Sequence, residues 1–314
     1  MKKKLLSMLL VAAMAVGTMV GCGGSDSGSD STISIYVFGN DQEQEMYQKL
    51  FDKFEEENNC KVEAQFSIKD DYNTTITGMM TAKNLPDVFY MGPENVSQYV
   101  DNGYVLDMKP VLSKNNLDTS DILQDILGMY EYNGGLYGLP HDSSVFAYAY
   151  NKDLFDEAGV PYPDSENPYT YDEFVEVCKK LTKDKDGDGE IDQWGCGFAN
   201  AFMLYQFIWG NNASFCSDDF KTVTVTDPAF QEGLQKFVDL TLVHKVTPTV
   251  EQDVANGPYQ RWLDGQVAFY ACGTWDIAAF MDKETFKYDW DLCGYPTLAS
   301  GVSQTWCGTV GYCV

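Results

Sequence analysis

Residues 184–195, DKDGDGEIDQWG, carry acidic side chains at spacings suited to holding a cation. Asp184, Asp186 and Asp188 fall at positions 1, 3 and 5 of a calcium loop, and Gly189 falls at the sharp turn of position 6. Glu190 would offer a backbone oxygen at position 7, and Asp192 sits at position 9. Position 12 is Gly195 rather than a bidentate glutamate, so a complete shell needs an acid from elsewhere, or water. The same residues also read as a solvated acidic turn. A bound Ca2+ here would stabilise structure, and no cofactor is required. Catalytic patterns are thin. The chain has two histidines, His141 and His244, and no HExxH, GxSxG, P-loop or GxGxxG pattern. Its 47 acids make many carboxylate pairs, but none is marked out at a strand end for glycoside hydrolysis. These patterns give no support to an enzyme.

The elements that must position these residues follow from periodicity. TISIYVFG (32–39) is an apolar, β-branched and aromatic run, hence a buried strand. Residues 41–58 read as a helix with acids at its start and Met46, Leu50, Phe51 and Phe54 on its apolar face. KVEAQFS (61–67) alternates as a second strand, a polar helix follows around 70–83, and LPDVFYMG (85–92) is a third buried strand. Strand and helix in alternation imply parallel strands with right-handed crossovers, that is, an α/β fold. Ligands then sit beyond the carboxyl ends of the strands, here Phe38–Asp41 and Tyr90–Glu94. Further on, SSVFAYAYN reads as a strand and KDLFDEAG as a helix stopped by Gly159. Residues 168–182 form an amphipathic helix with Phe174, Val177, Cys178 and Leu181 on one face. Residues 227–244 are a helix opened by Asp-Pro, 257–282 read helix, turn, strand, glycine, helix, and 306–314 read as a strand.

Composition bounds the function. The 314 residues are 44% hydrophobic and 14% aromatic, enough for two lobes with real cores. A net charge of −26 argues against nucleic acid and against electrostatic attachment to anionic lipid. Lys2-Lys3-Lys4 and the apolar run from Leu5 to about Val20 have the layout of a secretory signal, too short to span a bilayer comfortably. Residues 23–31, rich in Gly, Ser and Asp, read as a tether that cannot bury a core. Eight cysteines remain beyond Cys22, with no CxxC pair. An exported chain can pair them, but Cys272 and Cys313 lie in apolar strands, where a thiol behaves as a small buried hydrophobe.

Two resemblances then carry identity. Met19-Val20-Gly21-Cys22 resembles the bacterial lipobox, which implies cleavage before Cys22 and lipidation of its thiol. LPDVFYMGPENV, YGLPHDSSVFAYAYNKDLFDEAGV, WLDGQVAFYACGTWDI and GTVGYCV, spread in order along the chain, resemble an extracellular solute-binding lipoprotein of a carbohydrate ABC transporter, the maltodextrin-binding type. That resemblance implies a two-lobed periplasmic-binding-protein-like fold of type II, with a hinge and a cleft between the lobes. The expected organisation is signal peptide 1–21, tether 22–32, lobe 1 at 33–141, lobe 2 at 142–306 and a return strand at 307–314. Members of the family continue further, so the chain is expected to be truncated at its C-terminus.

The resemblance also implies a site. Aromatic faces cover the C–H face of a sugar, and carboxylates and amides bind its hydroxyls. Trp275, after Gly273, matches the family's stacking tryptophan, and Glu94 matches a hydroxyl-binding acid. Met91 stands where some relatives carry an aromatic residue. Trp209 reads either as a second platform or as core. Asn40 and Asp41 follow the first strand, and Asp142 and Ser144 lie in the first hinge crossing. The expected partners are a carbohydrate and the membrane permease, with the chain a monomer, lipid-anchored outside the cell membrane. A polyamine or peptide is the alternative cargo. A surface glycoside hydrolase, or a calcium-dependent adhesion module built on 184–195, is the alternative class.

Overall fold

The computed structural model describes residues 31–197, 202–218 and 220–314. The signal, the lipobox with Cys22 and the tether up to residue 30 lie outside the described residues. The chain divides into two compact units, residues 1–90 and 91–314.

In the first unit, strand β1 (Ser31–Phe38) pairs in parallel with β2 (Cys60–Ser67) over its whole length, from Ser31 opposite Cys60 to Phe38 opposite Ser67. The expected tether therefore ends earlier, because Ser31 and Thr32 already belong to β1. On its other side β1 pairs in parallel with β3 (Val88–Met91) at Ile35–Val88 and Tyr36–Phe89. Helices Asp41–Asn58 and Lys69–Ala82 make the crossovers. Asn40 starts the first: its side chain accepts from the Glu43 N–H at 3.0 Å while the Glu43 carboxylate accepts from the Asn40 N–H at 2.7 Å.

The apolar face expected for helix Asp41–Asn58 is out of phase. Phe51 is buried as expected, but Met46 and Leu50 are 57% and 58% exposed and Phe54 is also exposed. The core face is instead Tyr47 and Phe51, one turn apart with rings stacked at 6.0 Å. The physical reason is the tyrosine hydroxyl. Tyr47 is buried because its OH shares a 2.7 Å hydrogen bond with the OH of Tyr90, and this rotates the buried stripe by one residue. Tyr72 repeats the device. Its OH donates to the Tyr90 carbonyl at 2.9 Å and accepts from the Tyr90 N–H at 2.8 Å.

In the second unit, β4 (Glu131–Tyr132) and β5 (Gly135–Leu136) form a small ribbon. The main sheet has the order β10 (Trp290–Cys293), β7 (Ser144–Asn151), β9 (Val267–Gly273), β8 (Trp194–Gly197). β7 and β9 run antiparallel, and β8 and β9 parallel. All seven residues of β9 are buried, so it is the central strand its apolar run implies. Aromatic residues pack both faces: Tyr148, Phe155, Phe174, Phe207 and Phe269 on one, Trp262, Tyr270, Phe280 and Phe286 on the other. Helix Tyr171–Leu181 buries Phe174, Cys178 and Leu181 as its spacing predicts, but Val177 is only partly buried and Val175 is buried with the others.

Two segments of this unit lie side by side in opposite directions. β6 (Leu139–Pro140) pairs with β12 (Gly311–Cys313), and the start of β7 pairs with β11 (Cys307–Gly308). The expected single strand at 306–314 is thus two short pieces, interrupted at 309–310. Cys60, Cys178, Cys196, Cys272, Cys293 and Cys313 are buried as free thiols.

Candidate functional site

Two places in the chain share one local design. β3 ends at Met91, Gly92 and a 3-10 turn Pro93–Asn95 follow, and helix Val96–Asp101 continues. β9 ends at Gly273, a 3-10 turn Thr274–Asp276 follows, and helix Ile277–Met281 continues. In each, the side chain two residues past the glycine folds back over it. A Cβ on Gly92 would collide with the Glu94 carboxylate, and a Cβ on Gly273 with the Trp275 indole. Glycine is needed at both places for close approach, since its φ is an ordinary −73° at Gly92 and −88° at Gly273.

The indole of Trp275 is 49% exposed and meets Phe146 edge-on at 5.0 Å. It is thus neither core nor loose, but a flat apolar surface propped at a strand end. Phe146 also packs against Trp306 at 5.6 Å and Phe202 at 5.4 Å. Trp306 is half-buried and lies over Gly308, as a Cβ there would strike its ring. Trp306 escaped the sequence reading. The available signal is a tryptophan two residues from a glycine, as in Gly273–Trp275, with the order reversed.

Trp209 is half-buried on helix Phe202–Gly210 and stacks on Tyr205 at 5.0 Å, with 17° between the planes. Tyr205 lies 6.2 Å from Phe202. Trp275 and Trp209 therefore stand at the two ends of one aromatic series through Phe146, Phe202 and Tyr205.

Glu94 is exposed, with the Asn95 amide 3.4 Å from its carboxylate. The turn that carries it is fixed from behind by Tyr130, which is fully buried and donates to the Met91 carbonyl at 2.9 Å. Tyr130 also bonds Thr309, and its ring fills the space beside Gly138 and Gly311. Burial, with the charge of Glu94 adding to it, pushes the Tyr130 hydroxyl far above the usual tyrosine range, so it stays a neutral donor.

Asp142 and Ser144 serve the paired segments themselves. The Val310 N–H donates to one Asp142 oxygen at 3.1 Å, and the Ser144 hydroxyl donates to the other at 3.1 Å. The His141 N–H donates to the Val310 carbonyl at 2.8 Å beside them. Asn40 and Asp41 belong to the other compact unit. There they line an open cleft of about 540 Å³ with Gly39, Gln44, Phe66, Ser67 and Ile68, at the carboxyl ends of β1 and β2. Asn40 is engaged as the helix cap, and Asp41 is exposed in the first turn.

In the acidic loop, one oxygen each of Asp184, Asp186 and Asp188 lies within 4.8 Å of the others, and all three residues are exposed. Both oxygens of Asp184 accept loop N–H groups, from Gly187 at 2.7 Å and Gly189 at 2.9 Å. Gly187 and Gly189 take φ of +81° and +97°, a turn that favours glycine. Asp192 accepts from the Lys185 N–H at 2.7 Å, and Glu190 is exposed. The three aspartates thus suit a hard cation by donor type, while position 12 supplies no ligand.

Glu94 is thus an exposed carboxylate and Trp275 a half-exposed indole, each on the turn that follows a strand. The chain belongs to the family of bacterial extracellular solute-binding proteins, whose profile matches residues 40–306. It is similar to the melibiose/raffinose/stachyose-binding protein MelE of Bacillus subtilis, 25% identical over 235 residues, covering 73% of this chain and 50% of that protein. It is 28% identical over 157 residues to an arabinooligosaccharide-binding protein of Halalkalibacterium halodurans, covering 49% of this chain and 34% of that one. The chain thus spans half or less of the length of these relatives. Its fold matches an ABC substrate-binding protein of Listeria monocytogenes in complex with cycloalternan, with TM-score 0.80 and 25% identity, over 91% of this chain and 71% of that one. It also matches the maltose/maltodextrin-binding domain of Bdellovibrio bacteriovorus bound to maltotriose, with TM-score 0.69 and 22% identity, over 90% and 71%. The fold is accordingly the α/β fold of two-lobed periplasmic binding proteins. Among the described residues, no helix is long and apolar enough to cross a membrane.

Proposed function

We propose that this chain is the substrate-binding component of an ABC importer, which captures a sugar or oligosaccharide outside the cell and delivers it to the permease. The observation that carries the reading is Trp275: a half-exposed indole laid over a strand-end glycine and held edge-on by Phe146. Such a surface suits the C–H face of a pyranose, and the exposed Glu94 carboxylate suits its hydroxyls. The four relatives named above bind carbohydrates, which supports the class of cargo.

Binding is coupled to hinge closure, and the sugar favours the closed form only by its differential affinity for it. We take the lobes as 33–141 and 142–306, with 307–314 returning; the compact units instead part after residue 90, and what supports our division is the antiparallel pairing of the two segments at 139–145 and 307–313. The protein does no chemistry on the sugar. Lipidation at Cys22 holds it at the outer face of the membrane as a monomer, and a structural Ca2+ sits on Asp184, Asp186 and Asp188.

The test is tryptophan fluorescence and melting temperature of the purified, lipid-free protein against a panel of mono- and oligosaccharides plus spermidine, with chromatography for products. A saturable shift with a sugar, lost in Trp275→Ala and without product, is the expected result. A response to spermidine alone would overturn the carbohydrate reading. Sugar turnover would overturn the binding-protein reading.

A further inference from the structure

Tyr130 stands where three parts of the second unit meet. Its hydroxyl donates at 2.9 Å to the carbonyl of Met91, the last residue of β3 before the Glu94 turn. The same hydroxyl bonds the side chain of Thr309, in the link between β11 and β12. Its ring lies against Gly138, just before β6, and against Gly311, the first residue of β12. A Cβ on either glycine would strike that ring, and the ring cannot step aside because Tyr130 is fully buried. Neither glycine takes a positive φ, so each is needed for space and not for conformation. Two residues on, the Tyr132 hydroxyl donates to Asp101 at 3.3 Å, at the far end of the helix that follows the turn. Tyr130 and Tyr132 thus hold both ends of the segment from Met91 to Asp101. The chain that carries them runs through β4 and β5 directly into β6.

We infer that Tyr130 is a positioning residue for sugar binding: it ties the Glu94 turn to both crossing segments, so that the geometry of the crossing sets where the Glu94 carboxylate stands. The inference rests on the sugar-binding reading above and deepens it. β6 and β12 pair edge to edge, with Gly311 opposite Pro140, and the Tyr130 ring sits in that seam with a glycine on each side. A ring held there moves when either strand moves. Its hydroxyl carries the shift to the Met91 carbonyl, three residues from Glu94. A tyrosine that only filled the core would need neither two glycines from two segments nor a carbonyl partner 39 residues away. Phenylalanine would fill the same space, and the hydroxyl alone makes the link.

The experiment crosses Tyr130→Phe and Thr309→Val with Glu94→Gln and titrates each protein calorimetrically with raffinose and with maltotriose. Tyr171→Phe is the control for stability alone, since it loses a hydroxyl that donates to the Lys236 carbonyl at 2.8 Å in another part of the unit. Hydrogen exchange without sugar follows the amides of 92–101 and of 308–313. Tyr130→Phe should weaken the bound sugar about tenfold and Thr309→Val about threefold, and each should cost less than about twofold when Glu94→Gln is already present. Both variants should speed exchange in the two segments together, and Tyr171→Phe should change neither affinity nor that pattern. The inference is overturned if Tyr130→Phe leaves affinity unchanged, if its loss is as large in the Glu94→Gln protein, if only one segment loosens, or if Tyr171→Phe weakens the sugar equally. If neither sugar binds the wild type, that counts against the sugar-binding reading, and the exchange pattern alone upholds or overturns the tie.

Discussion

Replacing Gly273 by alanine tests the site without touching any group offered to the ligand. The backbone at Gly273 has φ −88° and ψ 161°, which alanine adopts freely. The new methyl would overlap the six-membered ring of the Trp275 indole. That ring is the far end of a half-exposed side chain, so it can swing outward rather than strain the strand. The cost is its edge contact with Phe146, about 0.5–1.5 kcal/mol. Against this, alanine in place of glycine within a strand gains about 0.5–1 kcal/mol. The net change in stability is therefore below about 1 kcal/mol. Sugar affinity, by contrast, should fall about tenfold or more, as the stacking surface has moved. Urea unfolding gives the first quantity and titration calorimetry the second. The indole emission should shift to the red in the absence of ligand. A loss of several kcal/mol with unchanged affinity would refute the reasoning, because it would make Trp275 a core residue and not a platform.

Tyr130→Phe removes the hydrogen bond to the Met91 carbonyl and leaves that acceptor buried. It should cost about 1–3 kcal/mol in urea unfolding and loosen the turn that carries Glu94. Burial pushes the Cys196 and Cys272 thiols up to about 12, so native protein at pH 8 should react with iodoacetamide first at the less buried Cys216 and Cys307. Mass spectrometry of the digested protein reads the order. The Ser34 hydroxyl and N–H hold the Asp87 carboxyl below its ordinary value of 3.8. A depressed folded-state pKa gives stability that is complete above the unfolded value and lost as pH falls through the folded one. Asp87→Asn should therefore flatten the stability profile below about pH 4, and thermal melts at pH 3 and pH 7 check it. If the acidic loop holds Ca2+, terbium luminescence should saturate in the wild type and be lost in Asp186→Asn, with a melting temperature that falls on chelation.

Much of the architecture was legible because it follows from local periodicity. The runs that became β1, β2, β3, β7 and β9 are apolar or alternating over strand lengths, and glycine and proline punctuate them. What the sequence hid depended on long-range pairing. The buried phase of helix Asp41–Asn58 turns on a hydroxyl pair between Tyr47 and Tyr90, 43 residues apart. A reading that counts tyrosine as polar picks Met46 and Leu50 instead. Asp142 looks like a ligand-facing acid until the register of the paired segments sets the Val310 N–H against it. Trp306 sits 31 residues from Trp275, and only the fold brings both against Phe146.

These cases suggest a sharper rule for finding such a site than residue type alone. A binding group is one whose chemistry the fold does not consume. Asn40 caps a helix, and both oxygens of Asp142 accept hydrogen bonds within 3.1 Å, so each has a structural employer already. Glu94 is different: a carboxylate on a strand-end turn, exposed, with a single amide 3.4 Å away. Leaving half an indole in water at the end of a fully buried strand forfeits roughly half of the 1.5–3 kcal/mol that burying a large apolar side chain contributes. The glycine beneath Trp275 and the edge of Phe146 hold the ring in that position instead of letting it fold into the core. A ring left exposed, yet fixed by a close-fitting glycine, is preorganised for a partner that arrives later.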